Sequence, residues 1–216
     1  MTSNRIRRFI ARTALAAATV TCAGLVADGA LVASSADAVA FPTGTAADPA
    51  VAQSVAALNS LQTGNAEQYA SDLAVVAATI GPRVGVDPDR LAAAWTAATP
   101  QAMTAVLSAL SQLGVSYHYA TATPGASFDC SGLVRWAWSQ AGVELPSNST
   151  SIIRSMENTP TTEIEPGDVL WYPGHVMLAL GVDDTYVHAV GRGKVLEVHS
   201  MYAKKRSRLR VIDPAG

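Results

Sequence analysis

The stretch that decides the fold is DVLWYPGHVMLALGVDDTYVHAVGRGKVLEVHS, residues 168–200. It divides into short apolar and β-branched runs at 169–172, 175–182, 185–190 and 195–200, and a fifth run follows at 209–212. Pro173-Gly174, Asp183-Asp184 and Gly191-Arg192-Gly193 separate the first four. Parallel strands need a crossover of a dozen or more residues, so runs joined this tightly pair as an antiparallel meander.

Upstream, the pattern is helical. From 49 to 98 the chain is rich in Ala, Leu and Gln, and Ala is the strongest helix former. Helices are predicted over 49–61, closed by Gly64, and over 66–80, stopped by Gly81-Pro82. Asp87-Pro88 and Thr99-Pro100 each place a capping side chain before a proline at the first helical position, which starts a third and a fourth helix. The fourth ends at Gly114, with Val106, Leu107, Leu110 and Leu113 along one side. A loop over 116–128 leads to a fifth helix over 130–141, ended by Gly142. Helices first and a meander second define an α+β fold.

The first 40 residues have a different character. Arg5, Arg7, Arg8 and Arg12 precede an apolar run over 13–27, and Ala36-Asp37-Ala38 and Ala38-Val39-Ala40 both fit an A-x-A cleavage rule. That order predicts a secretory signal peptide over 1–40. The apolar run is shorter than the roughly 20 residues of a membrane span, and Asp28 interrupts it. Once the leader is cut, no stable membrane insertion is expected. Four Arg and two Asp leave with it, so the mature chain keeps 11 of 15 basic and 15 of 17 acidic side chains. An acidic balance gives no general attraction to nucleic acid. Basic residues nonetheless gather late in the chain, at Arg192, Lys194, Lys204, Lys205, Arg206, Arg208 and Arg210. They read either as a solvated strand edge or as a patch drawn to an anionic polymer such as a cell wall.

Cleavage also removes Cys22 and leaves Cys130 alone. A single cysteine in an oxidising compartment forms no internal disulfide and is either buried or chemically used. Cys130 falls at the predicted start of the fifth helix, directly after Asp129. Unpaired N–H groups and the positive end of the macrodipole there favour a thiolate and offer donors to a developing oxyanion. A cysteine nucleophile needs a base, and the base a partner that orients it. His175 opens one strand, and His188 lies in the next. A turn centred on Asp183-Asp184 pairs Val182 with Thr185 and Ala179 with His188, so both histidines share a face. Counted strictly they lie four residues apart, about 13 Å, unless a bulge or twist shortens the gap. His118 and His199 read as packed or surface residues. Cys130 with two histidines also fits a zinc site with an open position, although no close Cys or His pair supports one.

The segment FDCSGLVRWAWSQAGVELP, residues 128–146, strongly resembles the nucleophile helix of the NlpC-type peptidoglycan endopeptidases, a papain-like cysteine peptidase family. EPGDVLWYPGHVMLALG, residues 165–181, resembles the family segment that carries the base, and TYVHAV the strand that follows it. The likeness runs from about residue 100 to the C-terminus. It implies Cys130 as nucleophile, His175 as base and His188 as orienting residue, on a papain-like fold whose nucleophile helix packs on an antiparallel sheet. Tyr117 matches the tyrosine that lines the family's site, and Asp129, Ser131 and Tyr117 are the substrate-binding candidates. Two departures stand out. The family's paired glycines before the nucleophile are replaced by Ala120-Thr121, and its Arg-x-Ser after Leu145-Pro146 by Ser147-Asn148-Ser149.

The expected organisation is a signal peptide over 1–40, a leader and Ala-rich helical segment over 41–98, and a catalytic domain over 99–216. The helical segment is either scaffold or a cover over the cleft. The expected protein is a secreted or wall-located monomer without cofactor or metal, and the resemblance implies action on peptidoglycan stem peptides at the bond between D-γ-glutamate and a diamino acid. A non-catalytic wall-binding module and an amidase or acyltransferase on the same fold are the alternatives.

Overall fold

The computed structural model describes residues 48–202 and 206–216, which fall within one compact unit, 38–216. The expected signal peptide and cleavage site, with Cys22, Lys204 and Lys205, lie outside the described residues.

Four helices come first: α1 (Pro49–Gln62), α2 (Ala66–Val84), α3 (Pro88–Ala97) and α4 (Pro100–Leu110). Their starts follow the capping logic of the sequence. Asp48, Asn65, Asp87 and Thr99 each accept a hydrogen bond from a first-turn N–H, and a proline follows three of the four. The expected stop at Gly81-Pro82 is not observed. α2 runs through both residues and ends at Gly85, in the left-handed conformation. A proline costs a helix one hydrogen bond, and here the last turn tolerates that loss. Gly81 is needed for another reason, since a Cβ there would lie 2.7 Å from the Val86 carbonyl oxygen.

The loop over 116–128 carries a small sheet that the sequence does not suggest. It consists of β1 (Ser116–Tyr117), β2 (Ala122–Thr123) and β3 (Ser127–Phe128), ordered β1-β3-β2. Buried Gln112 anchors it by accepting from the Gly125 N–H at 2.7 Å. α5 (Cys130–Gln140) follows, and then a short helix that the sequence pattern does not announce, α6 (Ser149–Arg154), capped by Asn148.

The predicted meander is present as β4 (Val169–Tyr172), β5 (His175–Ala179), β6 (Thr185–Ala189), β7 (Leu196–Ser200) and β8 (Arg210–Ile212). They form one sheet ordered β7-β6-β5-β4-β8, antiparallel throughout. Along β5 and its extension, Val176, Leu178 and Leu180 enter the main core, where α5 packs, while Met177 and Ala179 join a smaller cluster with Leu170, Tyr186 and Val211. The α+β architecture with α5 on an antiparallel sheet is therefore the observed one. No described helix is long and apolar enough to cross a membrane.

The β5–β6 register differs from the simple hairpin. Asp183 and Asp184 do make the turn, with φ of 49° and 56°, and the Thr185 N–H reaches the Val182 carbonyl at 3.0 Å. The Leu180 N–H, however, also goes to the Thr185 carbonyl, at 2.9 Å, and beyond it Ala179 pairs with Tyr186 and Leu178 with Val187. Thr185 thus faces both Val182 and Leu180, and β5 carries two extra residues at the turn. Gly181 makes this possible. Its φ is +84°, and a Cβ on it would lie 2.3 Å from the Pro166 ring.

α1 to α3 do not form a core of their own. Leu58, Leu73, Leu91 and Trp95 are buried in the same cluster as Phe128, Leu133 and Val187. The Trp95 indole donates to the Leu180 carbonyl at 2.9 Å, Ser200 Oγ donates to the Val84 carbonyl at 2.5 Å, and Arg90 pairs with Asp183 at 2.8 Å. These contacts place α2 and α3 at the Asp183 end of the hairpin and along β7, whereas His175 stands at the other end of β5.

Gly181→Ala should lower the free energy of unfolding by about 1–3 kcal/mol, from the collision with Pro166 and the positive φ together. Urea denaturation would show this as a lower midpoint. An unchanged midpoint would mean that the turn accepts a side chain and that the offset has another cause.

Candidate active site

Cys130 is the first residue of α5, and its position follows from Asp129. The Asp129 carboxylate caps the helix by accepting from the Gly132 N–H at 2.6 Å and from Ser131 Oγ at 3.1 Å. Its other oxygen accepts from the Ala120 N–H at 2.8 Å, and the Asp129 N–H donates to the Thr121 carbonyl at 2.9 Å. One carboxylate therefore ties the nucleophile helix to the 120–121 loop. Gly132 is a site residue that sequence reasoning misses. A Cβ on it would lie 2.1 Å from the Thr121 carbonyl oxygen, so the loop can come this close only to a glycine. The available signal is a glycine in the first turn of a helix, where it weakens the helix unless something crosses close to it.

The half-buried Cys130 thiol accepts from the backbone N–H of Val176, the residue after His175. Burial pushes the thiol above its ordinary 9.0. The Val176 N–H pulls it back down, the Asp129 charge adds to the rise, and the N–H groups of Ser131 and Cys130 oppose it. The helix start thus acts in the direction expected from the sequence, but desolvation outweighs it.

His175 is the first residue of β5, and its ring stands at the end of the sheet. The Pro173-Gly174 turn sets Tyr172 opposite it, with ring centroids 5.3 Å apart. His188, on β6, is buried. The two-residue offset described above places His188 opposite Met177 rather than Ala179, so His175 becomes its diagonal neighbour. The expected 13 Å gap closes: His175 Nε2 and His188 Nδ1 are 2.7 Å apart, with the rings edge to face. The bulge that the strict count requires is the one at Gly181. Beyond His188, the His199 ring lies 5.2 Å away, and its Nε2 is 2.8 Å from a Glu197 carboxylate oxygen.

Of the residues singled out for substrate binding, Asp129 and Ser131 are buried and engaged in the helix cap, Ser131 also facing the Ser147 carbonyl. Tyr117 is half-buried on β1. Burial raises its phenol above the ordinary value, Cys130 and Asp129 add to the rise, and Arg192 counters it. Tyr117 pairs with Phe128, two residues before Cys130, and its N–H donates to the Lys194 carbonyl at 2.9 Å. Among the described residues, no three His, Cys, Asp or Glu side chains gather in an arrangement able to hold a metal ion.

Comparison with known proteins places these features. The NlpC/P60 family profile matches residues 114–211, which contain Cys130, His175 and His188. A protein named as a probable endopeptidase of Corynebacterium glutamicum is 31% identical over 204 residues, covering 92% of this chain and 91% of that protein. A probable endopeptidase of Mycobacterium tuberculosis is 38% identical over 99 residues, 44% of this chain but 25% of its own length, so the chain spans about a quarter of that relative. An NlpC/P60 family protein from Bacillus cereus shares the fold at a TM-score of 0.50 and 19% identity, over 55% of this chain and 42% of that one. The chain belongs to the NlpC/P60 family.

A thiol raised above 9.0 is mostly protonated at neutral pH, and the thiolate is the form that alkylates. The rate of Cys130 modification by iodoacetamide in the resting protein should therefore keep climbing above pH 8, by roughly tenfold for each pH unit below the pKa. A rate already level between pH 6 and 8 would show a thiolate stabilised more strongly than burial allows.

Proposed function

We propose that the protein is a secreted cysteine endopeptidase that hydrolyses peptidoglycan stem peptides at the bond between D-γ-glutamate and a diamino acid. The observation that carries this reading is the 2.7 Å contact of His175 Nε2 with His188 Nδ1, beside a cysteine that opens a helix and meets the Val176 N–H. Family membership and relatives named as endopeptidases support the reaction class, and the motif resemblance supports the bond.

His188 engages Nε2 of His175, so proton exchange with Cys130 falls to Nδ1. In the resting state Nε2–H donates to His188 Nδ1, and His175 Nδ1 takes the thiol proton as sulfur attacks the amide carbonyl. The raised thiol pKa makes this a coupled step, in which the proton leaves as the carbon–sulfur bond forms. The Cys130 N–H, at the helix start, donates to the tetrahedral oxyanion. Protonated His175 then gives its proton to the departing amine and the C–N bond breaks. Water, deprotonated by the same nitrogen, attacks the thioester and releases the carboxylate and the free thiol. His188 keeps the His175 ring in the tautomer that leaves Nδ1 basic, a positioning role.

Purified protein should release stem-peptide fragments from peptidoglycan, read by mass spectrometry. Cys130→Ala should abolish release with the fold intact. His175→Ala should lower kcat by roughly 10²–10⁴-fold. His188→Asn, which can still accept a hydrogen bond, should retain more activity than His188→Ala. Full activity of Cys130→Ala would overturn the nucleophile assignment.

A further inference from the structure

The basic residues late in the chain have separate fates. Arg206 pairs with Asp184 and donates to the Thr161 carbonyl. Arg210 bonds Asn158 and lies over the Trp171 ring. Arg192 and Lys194, both exposed, have no acidic partner among the described residues. They line one wall of a cleft of ≈ 410 Å³ whose other wall is Ser116, Tyr117, His118 and Tyr119.

Three features make this cleft a built one. Its walls are stitched at the base: the Tyr117 N–H donates to the Lys194 carbonyl at 2.9 Å, the Leu196 N–H to the Val115 carbonyl at 2.9 Å, and Ser116 bridges Val195. The 192–195 turn is closed by the Lys194 N–H on the Gly191 carbonyl at 3.0 Å. Among the described residues no carboxylate lines the cleft, so its two cations face it together although the whole chain has a formal net charge of −2. Finally, Tyr117 belongs to both places. On β1 it pairs with Phe128, two residues before Cys130, while also lining the cleft, and Tyr119 adds an 81% exposed ring to the lining.

We propose that this cleft is a substrate subsite in which Arg192 and Lys194 bind a carboxylate of the peptide whose amide is presented to Cys130. Two cations with no protein anion beside them can give a carboxylate charge-assisted hydrogen bonds, and an arginine can do so with two parallel N–H groups. Their exposed side chains lie outside the core, so they select substrate without supporting the fold. The inference rests on the peptidase reading, because it takes the ligand to be a stem peptide.

The two readings can be tested apart. Binding is measured by calorimetry on the full chain carrying Cys130→Ala, so that nothing is cut. The probes are the L-Ala-γ-D-Glu-diaminopimelate peptide and versions in which each carboxylate in turn is a carboxamide. One carboxamide should bind about tenfold more weakly than the acid, the size of a charge-assisted hydrogen bond. In the Arg192→Ala/Lys194→Ala variant of that protein, acid and carboxamide should bind alike. Discrimination that survives the double substitution, or its absence beforehand, overturns the subsite. Poly(glycerol phosphate) that binds through Arg192 and Lys194, with every carboxamide binding as well as its acid, also overturns it and assigns the cleft to a phosphate polymer. If the subsite result stands while wild-type protein leaves wall peptides intact, the peptidase reading fails and the subsite does not. Cys130-dependent cleavage without acid preference does the reverse, sinking the subsite and keeping the peptidase.

Discussion

Everything at the candidate site depends on where β5 lies against β6. Two histidines on neighbouring strands meet only in one register, and a slip of two residues keeps them on the same face while moving them about 7 Å apart along the strand. Gly181 sets that register by absorbing extra chain at the turn, and Pro166 packs where its side chain would be. The same turn carries Asp183, which holds Arg90 of α3, and Leu180, whose carbonyl holds the Trp95 indole. The N-terminal helices thus brace the turn whose geometry aligns His175 with His188. Residues of α1 to α3 share one core cluster with α5 and the strands.

The second constraint is electrostatic. α5 presents its N-terminus to a thiol, and the same arrangement buries that thiol and puts the Asp129 carboxylate beside it. The donors of the helix start and the Val176 N–H lower the cost of a sulfur anion, whereas desolvation raises it. Burial wins in the resting molecule. A site of this kind disfavours a free thiolate at rest and relies on a base to take the proton.

Much of this architecture is legible in the sequence. The Asp-Pro and Thr-Pro starts of α3 and α4, the Pro173-Gly174 turn and the strand cores all follow from local chemistry, because each depends on residues within a few positions. Cys130, His175 and His188 stand out by motif order. What is not legible has a common cause: it depends on partners distant in sequence. The turn at Asp183-Asp184 can be placed from its own residues, but the two-residue offset beside it requires knowing that Pro166 packs on Gly181. Gly81-Pro82 looks like a stop until the Val86 backbone fills the space over Gly81. Gly132 looks like a weak helix residue until the Thr121 carbonyl comes against it. The 116–128 segment reads as loop because its strands are two residues long and its anchor is a glutamine side chain just beyond the end of α4.

The single core has a consequence for how the chain folds. Trp95 bonds a residue 85 positions later, and Val84 receives the Ser200 hydroxyl across 116 positions. Contacts this long in sequence close slowly, because the intervening chain must first give up its freedom. The helices that emerge first during synthesis have their apolar faces matched to strands that emerge last. Until β5 and β7 have been made, Trp95 lacks the Leu180 carbonyl and α2 lacks the strand it packs on, so the N-terminal helices are incompletely covered. The order of elements along the chain therefore delays closure of the core until the C-terminal strands are available.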